Sequence, residues 1–225
     1  MFTPQLHILP SPQRRLWNEL VQVPPEFVLY GGTAIALHLG HRQSVDFDFF
    51  GNRAFDPVKL TIVIPFLTAA VITQREPNTL SGIVERGGPV KLSFFGLPEI
   101  PRLVPPHVAD NGVQVASLLD LAGMKAAVVQ QRAEAKDYID IDAIVADGRI
   151  DLALALASAR AIYGRTFNPQ ITLKALSFFD DGNLRRVPKA TQARLAKAAR
   201  EVDLDRLPTL PGTERVADRG HGLEQ

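Results

Sequence analysis

The chain contains no cysteine among its 225 residues. Disulfide staples, zinc–thiolate sites and thiol nucleophiles are thereby excluded, and the absence fits a reducing compartment. Long apolar runs are missing too. The most apolar window, LTIVIPFLTAAVI (Leu60–Ile72), spans 13 residues and contains Pro65, short of the ~20 that a helix needs to cross a bilayer. The opening MFTPQLHILPSP has no basic leader region, and prolines interrupt its apolar residues, unlike a secretory signal. A cytoplasmic protein without membrane contact is the expectation. No sign of charge dominates: 25 Lys+Arg against 24 Asp+Glu give a formal net charge of +1, so the molecule as a whole pulls weakly on a polyanion. What remains is an ordinary globular composition, 46% hydrophobic and 22% charged, in a chain long enough to bury a core unaided.

The pattern of elements changes part-way along. Ser11-Pro12 suits an N-cap followed by proline at the first helical position, predicting a helix through QRRLWNELVQ that Pro24-Pro25 ends. EFVLY (Glu26–Tyr30) reads as a short buried strand running into a Gly31-Gly32 turn, and TAIALHLG as a helix closed by Gly40. Val45–Phe50 alternates, with Val45, Phe47 and Phe49 on one face and Asp46 and Asp48 on the other. Asp56-Pro57 opens a helix that Pro65 ends; AVITQRE, LSGIVERG and PVKLSFFG are further strands, separated by Pro77-Asn78 and Gly87-Gly88. From Ser117 the composition is helical. The capping box SLLD starts a helix to about Arg132, a second begins near Asp137, Asn168-Pro169 caps another, and a basic segment forms the last. The predicted fold class is α/β (α+β), a small mixed sheet flanked by helices over 1–115, an α-helical half over 116–206, and a loose tail over 207–225.

The chemistry concentrates in YGGTAIALHLGHRQSVDFDFF (Tyr30–Phe50). On one side of a strand, Asp46 and Asp48 have β-carbons about 7 Å apart. Carboxylates so placed suit a pair of Mg²⁺ ions, which sit ~3.5–4 Å apart in phosphoryl-transfer sites. Magnesium commonly takes one or two carboxylates plus substrate phosphates. Gly31-Gly32-Thr33, at a strand-to-helix junction, offers bare backbone and helix N-terminal N–H groups to a phosphate. Either feature by itself is common, but G-G-T and R-x-S-x-D-x-D together occupy only 18 residues.

This stretch resembles the signature of polymerase-beta-type nucleotidyltransferases. The Arg42/Ser44 prefix looks specifically like their AbiEii/AbiGii branch, the abortive-infection and type IV toxin–antitoxin nucleotidyltransferases. Downstream, SLLDLAGMKAAVVQQRAEAKDYIDIDAI is similar to that branch's second signature, and the resemblance runs from about Phe27 to Phe179. It implies that Gly32 and Thr33 form the nucleotide-phosphate turn, with Gly31, Arg42, Ser44 and Arg132 in the same nucleotide-binding set. It further implies that Asp46 and Asp48 are catalytic Mg²⁺ ligands, with Mn²⁺ an admissible substitute. Lys125 would contact the phosphates of a nucleoside triphosphate, and Asp137 would be a distal catalytic or positioning acid. An RNA (tRNA) acceptor and a cognate antitoxin are the partners it suggests.

The residues also admit plainer roles. Asp137 suits a helix N-cap with Asp140 at N3, Lys125 a lysine snorkelling from an apolar helix, and Arg42 and Ser44 a pair of hydrogen-bonding residues at the strand entrance. His38 and His41 lack a third ligand nearby and read as surface or packing residues. Lys125 and Arg132, seven apart, share a helix face. Asp137 would lie roughly 140° from Arg132 on a continuous helix, so a break near Ala133–Ala135 is required. Members of the wider superfamily usually carry a third carboxylate on a neighbouring strand. In VKLSFFG that place falls to Ser93, leaving Asp137 or Glu85 to act as base, or a chain that binds nucleotide or RNA with little or no catalysis. LRRVPKATQARLAKAAR (Leu184–Arg200) carries Arg185, Arg186, Lys189, Arg194, Lys197 and Arg200 and no acid. It is either a solvated helix face or a phosphate-contacting patch. The leading expectation is a Mg²⁺-dependent nucleotidyltransferase acting on an acceptor hydroxyl of RNA, protein or, as in antibiotic-modifying enzymes, a small molecule.

Overall fold

The computed structural model describes residues 2–210; of the tail expected over 207–225, positions 211–225 lie outside the described residues. Phe27–Tyr30 forms β1, four residues buried in succession, as befits an inner strand covered on both faces. It pairs antiparallel with β2 (Asp46–Gly51) and parallel with β7 (Gln114–Val115). On the other side of β2 lies β5 (Pro89–Gly96), parallel to it, followed by β4 (Thr79–Glu85) and edge strand β3 (Val71–Glu76). With β6 (His107–Val108) at the far edge, the described residues form a mixed seven-stranded sheet in the order β3-β4-β5-β2-β1-β7-β6. The mixed α/β class read from the sequence is the one observed.

Period-2 alternation in β2 sorts its side chains as expected. Phe47 and Phe49 are fully buried, Phe47 beside Trp17 and Phe49 stacked on Phe94 with ring centroids 5.2 Å apart. Asp46, Asp48 and Phe50 occupy the opposite face. Val45 departs from the expectation: it precedes the strand and is 50% exposed. The first helix, α1 (Ser11–Trp17), has Pro10 rather than Ser11 at its cap position and tightens into a 3₁₀ segment over Asn18–Gln22. Helix α2 (Gly31–Leu39) begins at Gly31 itself, so the two glycines are its first turn and not a turn ahead of it; Gly40, at φ 65°, closes it as predicted. Asp56 caps α3 (Pro57–Val63) through the amide of Val58.

After β7 the described chain is helical. Ser117 caps α4 (Leu118–Val128), which ends four residues before Arg132. Helix α5 (Ala135–Asp147) has Glu134 at its cap position, so Asp137 sits inside the first turn and is not the cap. The break required between Arg132 and Asp137 is therefore present. Helix α6 (Leu152–Tyr163), which the pattern did not single out, is capped by Asp151; α7 (Pro169–Ala175) and α8 (Lys189–Glu201) follow. One hydrophobic cluster joins the sheet to Leu118, Leu121 and Ala122 of α4, Ile144 of α5 and Ala155 of α6. A second holds the helices together around Leu156, Leu176 and Leu195. The sheet thus shares its core with the helical half.

The junction of α4 and α6 is close enough to require glycine. A β-carbon at Gly123 would lie 2.3 Å from Ser158 Oγ and 2.8 Å from the Ala159 nitrogen, while Ser158 donates to the Leu119 carbonyl at 2.8 Å. Gly123→Ala is expected to lower stability by about 1–3 kcal/mol through overpacking, read as a reduced urea midpoint with the slope unchanged.

Candidate active site

Between the Asp46/Asp48 face of β2, the start of α2 and the facing sides of α4 and α5 lies a cavity of about 280 Å³. Asp46, Asp48, Gly31, Gly32, Thr33, Arg42, Ser44, Lys125 and Arg132 all line it. Of the predicted site residues, only Asp137 is not in its wall. The two strand carboxylates share the site with no third acid: among the described residues no group of three or more His, Cys, Asp or Glu side chains is placed to hold a metal ion. Ser93 stands opposite Asp48 in the β2–β5 register and contacts Ser81 at 3.3 Å. Glu85 accepts the Gly88 amide in the β4–β5 hairpin and takes no part in the cavity. Burial, then the neighbouring Asp46 charge, pushes the Asp48 carboxyl above its ordinary value. A pair of like charges held together in this way suits a divalent cation with further oxygens from a substrate phosphate.

The bare glycines serve this site in a manner spacing alone did not reveal. At Gly31, φ is 72° and a β-carbon would lie 2.8 Å from Asp48 Oδ2. At Gly32 a β-carbon would lie 2.3 Å from Arg42 Nη2. The first glycine gives room to the carboxylate and the second to the guanidinium. Thr33 is buried; its Oγ1 lies 2.7 Å from Ser44 Oγ and donates to the Asp46 carbonyl, tying the helix start to the entrance of β2.

Behind the cavity, Asp137 and Asp140 sit one turn apart on α5, each with 0% exposure. Asp137 accepts from Lys125 Nζ and, at 2.8 Å, from Arg132 Nε. Asp140 accepts from Arg42 Nε at 2.6 Å and Nη2 at 2.9 Å, from His41 Nε2 at 2.8 Å, and lies 2.9 Å from Lys125 Nζ. Burial raises both carboxyls, but in Asp137 the Arg132 hydrogen bond and the Lys125 charge outweigh it. In Asp140 the hydrogen bonds of His41 and Arg42 do so, and both groups stay below the ordinary carboxylate range. With both oxygens engaged, Asp137 holds Lys125 and Arg132 in place. His38, by contrast, is a packing residue that donates to the Ala116 carbonyl at 2.8 Å, and burial lowers it to about 4.

Sequence reasoning missed several residues of the site. Asp140 and His41 complete the ionic cluster, and Lys136, 3.0 Å from Glu134, adds a cation to the cavity wall. The three-residue spacing of Asp137 and Asp140 was the available signal for the first. An apolar end also went unseen, where Leu121, Met124 and Val128 line the cavity with Tyr30 and Phe50, whose rings stack at 4.9 Å and 15°. Burial, then the charge of Asp120, pushes the Tyr30 hydroxyl up to about 12, so it stays protonated.

The ionic cluster fixes an acid limb of stability. Carboxyls whose folded values are depressed contribute fully above the unfolded value and lose that contribution as pH falls through the folded one. Stability is expected to fall steeply below about pH 4, where unfolded aspartates take up protons. Asp140→Asn is expected to remove about 3–5 kcal/mol at neutral pH, by leaving cations unpaired, and to flatten that limb in denaturant titrations at stepped pH.

Comparison with known proteins accords with this geometry. The chain is 31% identical over 159 residues to an uncharacterised protein of Aquifex aeolicus (strain VF5), covering 69% of this chain and 75% of that one. Among solved structures, the nucleotidyltransferase toxin MenT4 of Mycobacterium tuberculosis H37Rv superposes with a TM-score of 0.60 at 18% identity, over 86% of this chain and 83% of that one. A protein of H. pylori assigned as a nucleotidyltransferase gives 0.50 at 17% identity, over 84% and 91%. These two show a shared fold. A sequence model described as nucleotidyl transferase AbiEii toxin, type IV toxin–antitoxin system, matches residues 15–219. The chain belongs to this AbiEii family and is a nucleotidyltransferase of the toxin type.

Proposed function

We propose that the cavity binds a nucleoside triphosphate with Mg²⁺, or Mn²⁺ in its place, and transfers its nucleotide to a hydroxyl of an RNA acceptor, an activity opposed in the cell by a cognate antitoxin. One observation carries this reading: Asp46 and Asp48 enter the same cavity as the N-terminus of α2 and the cations Arg42, Lys125, Arg132 and Lys136. The triphosphate is met by the helix N–H groups and by those cations, of which Arg42, Lys125 and Arg132 are held in place by the buried aspartates. The base lies toward Tyr30, Phe50, Leu121 and Met124. The acceptor oxygen attacks the α-phosphorus, the bond to the bridging oxygen breaks, and pyrophosphate leaves carrying the negative charge. The hydroxyl proton goes to solvent, since Ser93 places no acid beside Asp48. A divalent cation held by Asp46 and Asp48 would supply charge neutralisation at the reacting phosphate.

The basic segment favours RNA over a small acceptor. Arg185, Arg186, Lys189, Lys197 and Arg200 are exposed, although Arg194 is committed to Asp142 at 2.9 Å. Polyanion binding rests on such charges. Incubation with each labelled triphosphate and total RNA or protein extract is expected to label RNA, and chelation of divalent ions to stop it. Asp46→Asn and Asp48→Asn are each expected to reduce transfer at least ~100-fold, the scale for losing one transition-state contact, with the fold retained by circular dichroism. Undiminished transfer in chelator overturns the metal, and label on protein alone overturns the acceptor.

A further inference from the structure

Arg132 lines two cavities. Besides the catalytic one, it borders a groove of about 340 Å³ between the turn after α4 and helix α7, walled by Gln131, Ile171, Lys174, Phe178 and Leu184. Two large apolar side chains lie open there, Ile171 at 47% and Phe178 at 49% exposure. The adjacent phenylalanines are treated differently: Phe179 packs edge-on against Tyr138, with centroids 5.9 Å apart, while Phe178 faces outward. An exposed aromatic is unremarkable when isolated. Here it shares one groove with Lys174, a cation without an ion-pair partner among the described residues. Asp181 is the one acid in its wall, and Leu184, at its end, leads straight into Arg185 and Arg186.

We infer that this groove holds the unpaired terminal nucleotides of the acceptor RNA, with a base stacked on Phe178 and the backbone along Lys174 and Arg132. The inference rests on the RNA-acceptor reading above and names the surface that carries it. An aromatic platform in a basic channel is how single strands are bound irrespective of sequence. Continuity through Arg132 brings a strand lying there to the mouth of the catalytic cavity. A protein segment would be served by the apolar residues but gains nothing from the run of cations that continues past Leu184.

The test uses the full chain and a fluorescent single-stranded 12-nucleotide RNA, with anisotropy titrations at several salt concentrations in the absence of nucleotide. Phe178→Ala is expected to weaken binding about five- to hundredfold, the range for losing one base stack, and Phe178→Trp to restore it. Lys174→Glu is expected to weaken binding and reduce the salt dependence by about one phosphate contact, whereas Lys59→Glu on α3 leaves it unchanged. Triphosphate binding should be the same in all four variants. If the wild-type protein labels RNA and the Phe178 and Lys174 variants bind and label it equally well, the groove is overturned while the proposed reaction stands. If the wild-type protein neither binds nor labels RNA, both fall.

Discussion

Two carboxylates without exposed surface, Asp137 and Asp140, hold three of the cavity's cations, Arg42, Lys125 and Arg132, and the arrangement of the helices around the sheet depends on them. A charge removed from water costs several kcal/mol unless it is paired and hydrogen-bonded. Neither carboxylate can be satisfied from its own helix. Arg42 comes from the segment between α2 and β2, Lys125 from α4 and Arg132 from the turn before α5. Seating α5 therefore requires three other segments to be in register, and that register is the one that lines the cavity with positive charge. Lys125 has three N–H donors and directs contacts to both aspartates. The cations that stabilise the fold at this point are thus also ones that line the cavity.

The same dual use explains the Gly-Gly pair. A nucleotide-binding turn is usually read as glycine for the ligand's benefit. In this molecule the two positions are first needed by the protein's own groups, because Asp48 and Arg42 already occupy the space a β-carbon would fill. Binding elements that pack against one another in this way are set before a ligand arrives, and less ordering is left for the binding step to impose.

Much of this was legible in the sequence, for local reasons. Period-2 alternation with phenylalanine on one side gave β2, its paired acids and the face they share. Capping chemistry at Ser117 and Asp56, and Gly40 at the end of α2, gave boundaries. The need for a break before Asp137 followed from helical geometry. What was hidden depends on partners far apart in the chain: Arg42 and Asp140 are 98 positions apart, and no periodicity announces such a pairing. Asp137 could be seen as important, yet its place behind Lys125 and Arg132 only emerges once α4 and α5 fold back on each other. The early end of α4 at Val128 has the same origin, since Arg132 must leave the helical path to reach Asp137. The apolar end of the cavity was hidden because nothing in the pattern sets Tyr30, Leu121 and Met124 apart from core residues, although alternation along β2 puts Phe50 on the face of the acids.

Asp46 and Asp48 are the converse of the satisfied pair on α5. They stand two residues apart on one face of β2, and among the described residues no cation is hydrogen-bonded to either; Lys91 is only the strand neighbour of Asp46. Like charges so close repel, and that repulsion adds to burial in pushing the Asp48 carboxyl up. The strand tolerates it because its other face is locked by Phe47 and Phe49, buried against Trp17 and Phe94. A strand pinned on one side can keep an unfavourable arrangement on the other, and sites that break a local rule in this way are where function is expected. Among the described residues the two fully buried carboxylates of α5 are paired with cations, and the two that face the cavity are not. A cation-bearing triphosphate binding there would relieve a repulsion that the core has imposed.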